Sequence, residues 1–454
     1  MATILAYTSP ALGHVFPISA LLTELSRRGH TIHLRTLATG VETGQRLGFV
    51  TDAIDPRIEA IVHDGWKAPN IRAALKMAIE VFCRRAVHEV SDFTDAVARI
   101  RPDAVIVDVN CWGALSAADA GDIPWLCFTP YTPFLKSRGV PPFGPGLMPM
   151  PGVRGRIRDA AVRPLVMGIL EKGMLPPLNT IRADVGAPLV ASADEFARRA
   201  PLMLVASGKP FEYPQTDWGD AVQMIGPCVL DDEPQTVPDW LATIDRTIVL
   251  VTTSSERQAD ATLALTAMAD EPVHVVATLV AGLPEKVAAP PNATVCGFVS
   301  HGMVLDRAVC AVTHGGMGAT PASPAQPARM TTGSSHIEQA HQHLAFVPTD
   351  PRSGAVVVTA SDRDVASSQR PSRRSAADER RDDAMAFATD QAGYPHVSRG
   401  CHDRKASFAP NRIPRRRSPF CCPGGQRCAT DSQLLAFVCT TASWFGRCSA
   451  TSTP

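Results

Sequence analysis

Thr3 to Tyr7 is an apolar stretch, followed by Thr8, Ser9, Pro10, Ala11, Leu12, Gly13 and His14, and then by Ile18, Leu21, Leu22 and Leu25 at helical spacing. This pattern predicts a strand, a loop and a helix, with Pro17 suited to the first helical turn and Gly29 to the C-terminal cap. A second strand, Thr31 to Thr36, follows at once. Strand, helix and strand joined by such short links predict a parallel, doubly wound sheet. Further buried strands are expected at Ala104 to Val109 and Ile123 to Phe128, with a helix over Trp112 to Ala120 between them.

From Tyr131 to Gly152 the chain is Pro- and Gly-rich yet apolar, which suits a long loop. Residues 157–175 alternate Arg with Val, Leu, Met and Ile in an amphipathic pattern. A helix packed on the core accounts for that pattern, and a peripheral membrane contact through 157–175 is the sharper alternative. Strands at Leu202 to Ala206 and Val222 to Ile225 lead to Gly226 and an acidic, Pro-flanked segment that suits an interdomain linker. A second α/β series begins at Thr247, with strands expected at 247–252, 273–277, 294–299 and 309–313 and a helix at 258–270. Two such series suggest two Rossmann-like domains facing a cleft.

Past residue 320 the pattern changes. Pro, Ser, Arg and Ala occur in irregular order, with strand-like material only near 355–359 and 434–439. Arg dominates over Lys, which points to GC-rich coding DNA, and such DNA read in a shifted frame yields this mixture. A frameshift product and a natural disordered tail are the two readings of this segment. The expected organisation is therefore an N-terminal Rossmann-like domain over 1–226, a linker over 227–246, a partial second Rossmann-like domain over 247–320 and an atypical tail over 321–454.

The 454 residues include 44 Lys plus Arg against 44 Asp plus Glu, so no whole-chain field exists to draw in nucleic acid. No apolar run is long enough to span a bilayer, and the first residues lack the features of a signal peptide, so a cytoplasmic location is expected. The 12 Cys form no paired zinc pattern and read as reduced packing residues.

His14 falls in the loop after the first strand, at the strand end where open α/β sheets bind ligands. An imidazole there can take a proton from a hydroxyl near neutral pH. Asp108 ends another parallel strand on the same edge and could hold that imidazole in its base tautomer. Each alone is more often a helix-start or turn residue; together they form a candidate dyad. Thr313, His314, Gly315, Gly316, Met317 and Gly318 follow the strand 309–313, and a glycine-rich turn before a helix suits a diphosphate. Ser254 and Ser255, after the strand 247–252, could add donors to the same phosphates or merely cap a helix. The run Asp231, Asp232, Glu233 reads as solvated charge rather than as a metal site.

Two segments, GHVFPISALLTELSRRGHTIHL and CGFVSHGMVLDRAVCAVTHGGMGAT, resemble the N-terminal and donor-binding motifs of nucleotide-sugar-dependent glycosyltransferases of the macrolide, antibiotic and glycolipid type, over roughly residues 1–320. The resemblance implies the GT-B architecture and metal-independent sugar transfer with inversion. It implies a nucleotide-sugar donor as co-substrate, no cofactor, and an apolar hydroxylated acceptor. Position by position, it makes His14 the general base, Asp108 its partner, His314, Gly315 and Gly316 the diphosphate holders, and Ser254 and Ser255 part of the loop over the donor.

After THGGMGA, however, Pro321, Pro324 and Pro327 stand where the family has a helix, and no Asp-Gln pair follows in a matching context. Without that helix the strand 309–313 is expected to be under-covered and the second domain incomplete. Two alternatives stay open at this point: a non-catalytic remnant that binds acceptor-like lipids, and an NAD-type Rossmann oxidoreductase. The latter would want GxGxxG where this chain has SPALGH.

Overall fold

The computed structural model describes residues 1–143, 147–209, 212–230, 237–252, 262–279, 289–297, 299–313, 329–333 and 359–360. Seven strands form the first sheet: β1 (Thr3–Tyr7), β2 (Thr31–Thr36), β3 (Val50–Ala53), β4 (Ala104–Asp108), β5 (Trp125–Thr129), β6 (Met203–Val205) and β7 (Val222–Met224). All neighbours are parallel, in the order β3-β2-β1-β4-β5-β6-β7. Alternation along β1 sends Leu5 and Tyr7 into one core and Ile4 and Ala6 into another, so both faces are covered, as a parallel sheet requires.

Ile18, Leu21, Leu22 and Leu25 of the helix Leu12–Arg27 cover the second face. That helix ends as its sequence suggests. Gly29 takes a φ of +88°, and the N–H groups of Gly29 and His30 return to the carbonyls of Ser26 and Leu25.

The opposite face is covered by Ile71–Ile100, Trp112–Ala120 and Gly152–Asp184. The first of these, 30 residues long, has no counterpart in the apolar pattern. Its inward side carries Arg85, Glu89 and Asp92, all buried. Arg85 donates to the Ile61 carbonyl at 3.0 and 2.6 Å, and Asp92 accepts from the Tyr7 hydroxyl at 2.8 Å and pairs with Arg35. Buried charge with built-in partners hides the helix from a reading based on apolar periodicity. The expected helix at 157–175 is longer, Gly152–Asp184, and runs through Pro164, Pro176 and Pro177.

The second sheet is also parallel: β8 (Ile248–Thr252), β9 (His274–Thr278), β10 (Ala293–Cys296), β11 (Ala308–Thr313), β12 (Arg329–Gly333) and β13 (Thr359–Ala360), in the order β10-β9-β8-β11-β12-β13. Four strands were expected and two more are present. The strand β11, expected to be under-covered, is paired along one edge with β12 from Cys310↔Arg329 to Thr313↔Thr332. Arg329–Gly333 is too polar and too close to three prolines to read as a strand; its place is set by hydrogen bonds to β11. Apart from β12 and β13, the residues of the expected tail 321–454, Pro321, Pro324 and Pro327 among them, lie outside the described residues, as does the acidic run Asp231, Asp232, Glu233.

Candidate active site

In each sheet the strand order reverses direction between two neighbours, β1 and β4 in the first and β8 and β11 in the second. Chain crossovers leave to opposite sides there, so a crevice opens at the carboxyl ends of those two strands. His14 and Asp108 flank the first of these points. Tyr7 and Val107 are register partners, Asp108 closes β4, and His14 lies in the first turn of the helix that follows β1.

His14 Nδ1 stands 2.6 Å from Asp108 Oδ2, the imidazole side chain 14% exposed and the carboxylate 0%. The other carboxylate oxygen, Oδ1, accepts the backbone N–H of Asn110 at 2.9 Å. A carboxylate at that distance accepts an N–H on Nδ1, which in a neutral imidazole makes Nε2 the acceptor nitrogen. Asn110 Nδ2 is 3.4 Å from Nε2, and the Tyr131 hydroxyl donates to Asn110 Oδ1 at 2.5 Å. The Tyr131 ring meets the imidazole edge-on, with centroids 5.9 Å apart.

Behind Asp108 sits Glu89, whose Oε2 accepts the Gly113 N–H at 2.9 Å at the start of the helix Trp112–Ala120. Burial pushes its carboxyl up to about 8, against the N–H groups of Gly113 and Ala114 and the positive charge of Arg85, while Asp108 adds to the rise. Burial also raises the thiols of Cys111 and Cys127, which suits packing rather than nucleophilic chemistry. Cys83, Cys111, Cys127, Cys228 and Cys296 are free thiols.

At the second reversal point Thr252 ends β8 and Thr313 ends β11, and the two are register partners. Ser254 and Ser255 follow the first by two and three residues, and His314, Gly315 and Gly316 follow the second directly. All five lie outside the described residues. Among the described residues, no group of three or more His, Cys, Asp or Glu could hold a metal, and no helix is long and apolar enough to cross a membrane. The helix Gly152–Asp184 leaves Val153, Ile157, Leu165 and Ile169 exposed.

Asn110, Tyr131 and Glu89 are the site residues that sequence reading missed. Asn110 carried a usable signal, lying two residues past Asp108 in the same strand-to-helix turn. Tyr131 and Glu89 carried none.

No protein-family model matches the chain. It is 29% identical over 365 residues to 4'-demethylrebeccamycin synthase of Lentzea aerocolonigenes, an alignment that covers 76% of this chain and 85% of that one. Its fold matches the glycosyltransferase of kitacinnamycin with a TM-score of 0.59 at 20% identity, covering 86% of this chain and 92% of the other. A spinosyn rhamnosyltransferase complexed with thymidine diphosphate matches with a TM-score of 0.51 at 15% identity, covering 76% and 84%. The fold is the GT-B fold. The relatives it aligns with carry the names of rebeccamycin, kitacinnamycin and spinosyn.

Proposed function

We propose that this chain moves a sugar from a nucleoside diphosphate sugar to a hydroxyl of an apolar acceptor, a glycolipid, macrolide or other natural product, with inversion and without a metal. The observation that carries the reading is the 2.6 Å contact between His14 and Asp108 at the reversal point of the first sheet. His14 Nε2 takes the proton of the acceptor hydroxyl as its oxygen attacks the anomeric carbon from the face opposite the diphosphate. The bond from that carbon to the diphosphate oxygen breaks, which inverts the centre. Asp108 stabilises the imidazolium so formed.

His314, Gly315, Gly316, Ser254 and Ser255 are proposed to hold the leaving diphosphate. The register pairing of Thr252 with Thr313 supports this, because it starts both loops from one level of adjacent strands. Backbone N–H groups of a glycine-rich turn can take up charge developing on a diphosphate. Thymidine diphosphate in a structural neighbour supports a nucleotide donor. In a mixture of nucleoside diphosphate sugars and hydroxylated natural products, sugar-dependent release of nucleoside diphosphate should appear with the intact chain and fall away in His14→Ala. Release undiminished in that variant would refute the base assignment, and no release from any donor would leave the non-catalytic remnant as the better account.

A further inference from the structure

We propose that the helix Gly152–Asp184 rests on an anionic membrane surface through the first half of its length. Val153, Ile157, Ala161, Leu165 and Ile169 recur every fourth residue, so they form one stripe along the helix, and all five are exposed. At the helical rise the stripe runs about 24 Å. Contiguous apolar surface of that extent marks an interaction site, unlike single exposed side chains.

The two halves of the helix are held differently. Met167, Met174, Leu178 and Ile181 are buried in the core against the first sheet, whereas residues 152–166 place no side chain in that cluster. The helix leads from β5 to the parallel strand β6, so it starts at the carboxyl edge of the sheet. Its 33 residues run about 50 Å against about 17 Å for the five residues of β5. The first half therefore extends past the edge that holds His14 and Asp108.

Charge selects what covers the stripe. Arg154, Arg156 and Lys172 are exposed beside it. The two carboxylates of this half are turned inward: Asp159 is buried and held by Arg158 at 2.7 Å, and Glu171 Oε1 accepts the Ala193 N–H at 3.0 Å. An apolar stripe with a basic border fits a layer of anionic headgroups, where the apolar side chains sink below the phosphates and the basic ones stay level with them. Two copies packed stripe to stripe would instead set like charges against each other.

The test is sedimentation of the full chain with phosphatidylcholine vesicles, with and without phosphatidylglycerol. The chain should bind the vesicles that contain phosphatidylglycerol. Ile157→Ser combined with Leu165→Ser should weaken that binding about 100-fold, and Arg154→Gln combined with Arg156→Gln about 20-fold. Melting temperatures should stay at the parent value, because Ile157 and Leu165 are 64% and 71% exposed.

Absence of binding to the anionic vesicles would overturn the proposal, as would binding unchanged in both double variants. A parent dimer in light scattering that the serine pair dissolves would assign the stripe to a second copy instead. None of these readouts needs turnover, so the proposal stands or falls apart from the reading of His14 as base.

Discussion

Glu89 Oε2 accepts the backbone N–H of Gly113 at 2.9 Å, joining the long helix Ile71–Ile100 to the first turn of Trp112–Ala120 directly behind Asp108. The carboxyl is completely buried, and burial raises it from the ordinary 4.5 to about 8. Folded and unfolded chains therefore bind different numbers of protons over that range.

The sign follows from the raised value. Between pH 4.5 and about 8 the folded chain holds a proton on Glu89 that the unfolded chain has released, so this group's contribution is fully present below 4.5 and is lost as pH rises through about 8. Stability should decline across that window by up to roughly 1 kcal/mol per pH unit from this group. Glu89→Gln should flatten the decline in urea melts between pH 5.5 and 8, and an unchanged slope would assign the pH dependence to other groups.

Gly113 has a separate role. A Cβ there would lie 2.0 Å from the Ala86 carbonyl oxygen, and backbone cannot swing aside as a side chain can. Gly113→Ala should force the two helices apart and cost about 1–3 kcal/mol, read as a lower melting temperature. A melting temperature equal to that of the parent would show that the helices separate freely.

For the dyad, His14→Ala should reduce kcat by about 10²-fold or more with acceptor binding nearly intact, because what is lost is a proton acceptor. Asp108→Ala should act in the same direction but less strongly. Asp108 loss exceeding that of His14 would make the carboxylate, rather than the imidazole, the principal group.

On the donor side, calorimetric titration with thymidine, uridine and adenosine diphosphates should show binding of at least one of them. His314→Ala should weaken it about tenfold, the order expected for one charge-assisted hydrogen bond to a phosphate. Equal affinity in the parent and the variant would place the diphosphate elsewhere.

Much of the first sheet is legible in the order of apolar runs. The strands β1 and β2 and the helix Trp112–Ala120 match their expected bounds, and β4, β5, β6 and β7 differ by one or two residues at their ends. Short strands buried on both faces are nearly pure apolar runs, so they stand out. The helix Ile71–Ile100 is the counterexample, since its buried face mixes Phe93 and Ala86 with Arg85, Glu89 and Asp92. Ionisable groups break the apolar rhythm, and their partners come from distant parts of the chain: Ile61, Gly113 and Tyr7. The strand β12 shows the same limit in a sheet, being placed by its neighbour's unpaired edge rather than by its own residues.

By itself, the sequence determined that His14 and Asp108 would each lie at the carboxyl end of a parallel strand, because a strand followed by a tight turn and a helix leaves its chemistry in that turn. It also determined that the Ser254 and His314 loops would follow strands of a second series. Only the tertiary structure decided that β1 and β4 are neighbours, which brings side chains 94 residues apart to 2.6 Å. It alone decided that Tyr131, arriving from β5, would turn the amide of Asn110 toward the imidazole. Local pattern sets which residues occupy a turn, because it depends on neighbours in the chain. Which turns meet depends on strand order, and that is settled by the packing of whole helices across both faces of a sheet.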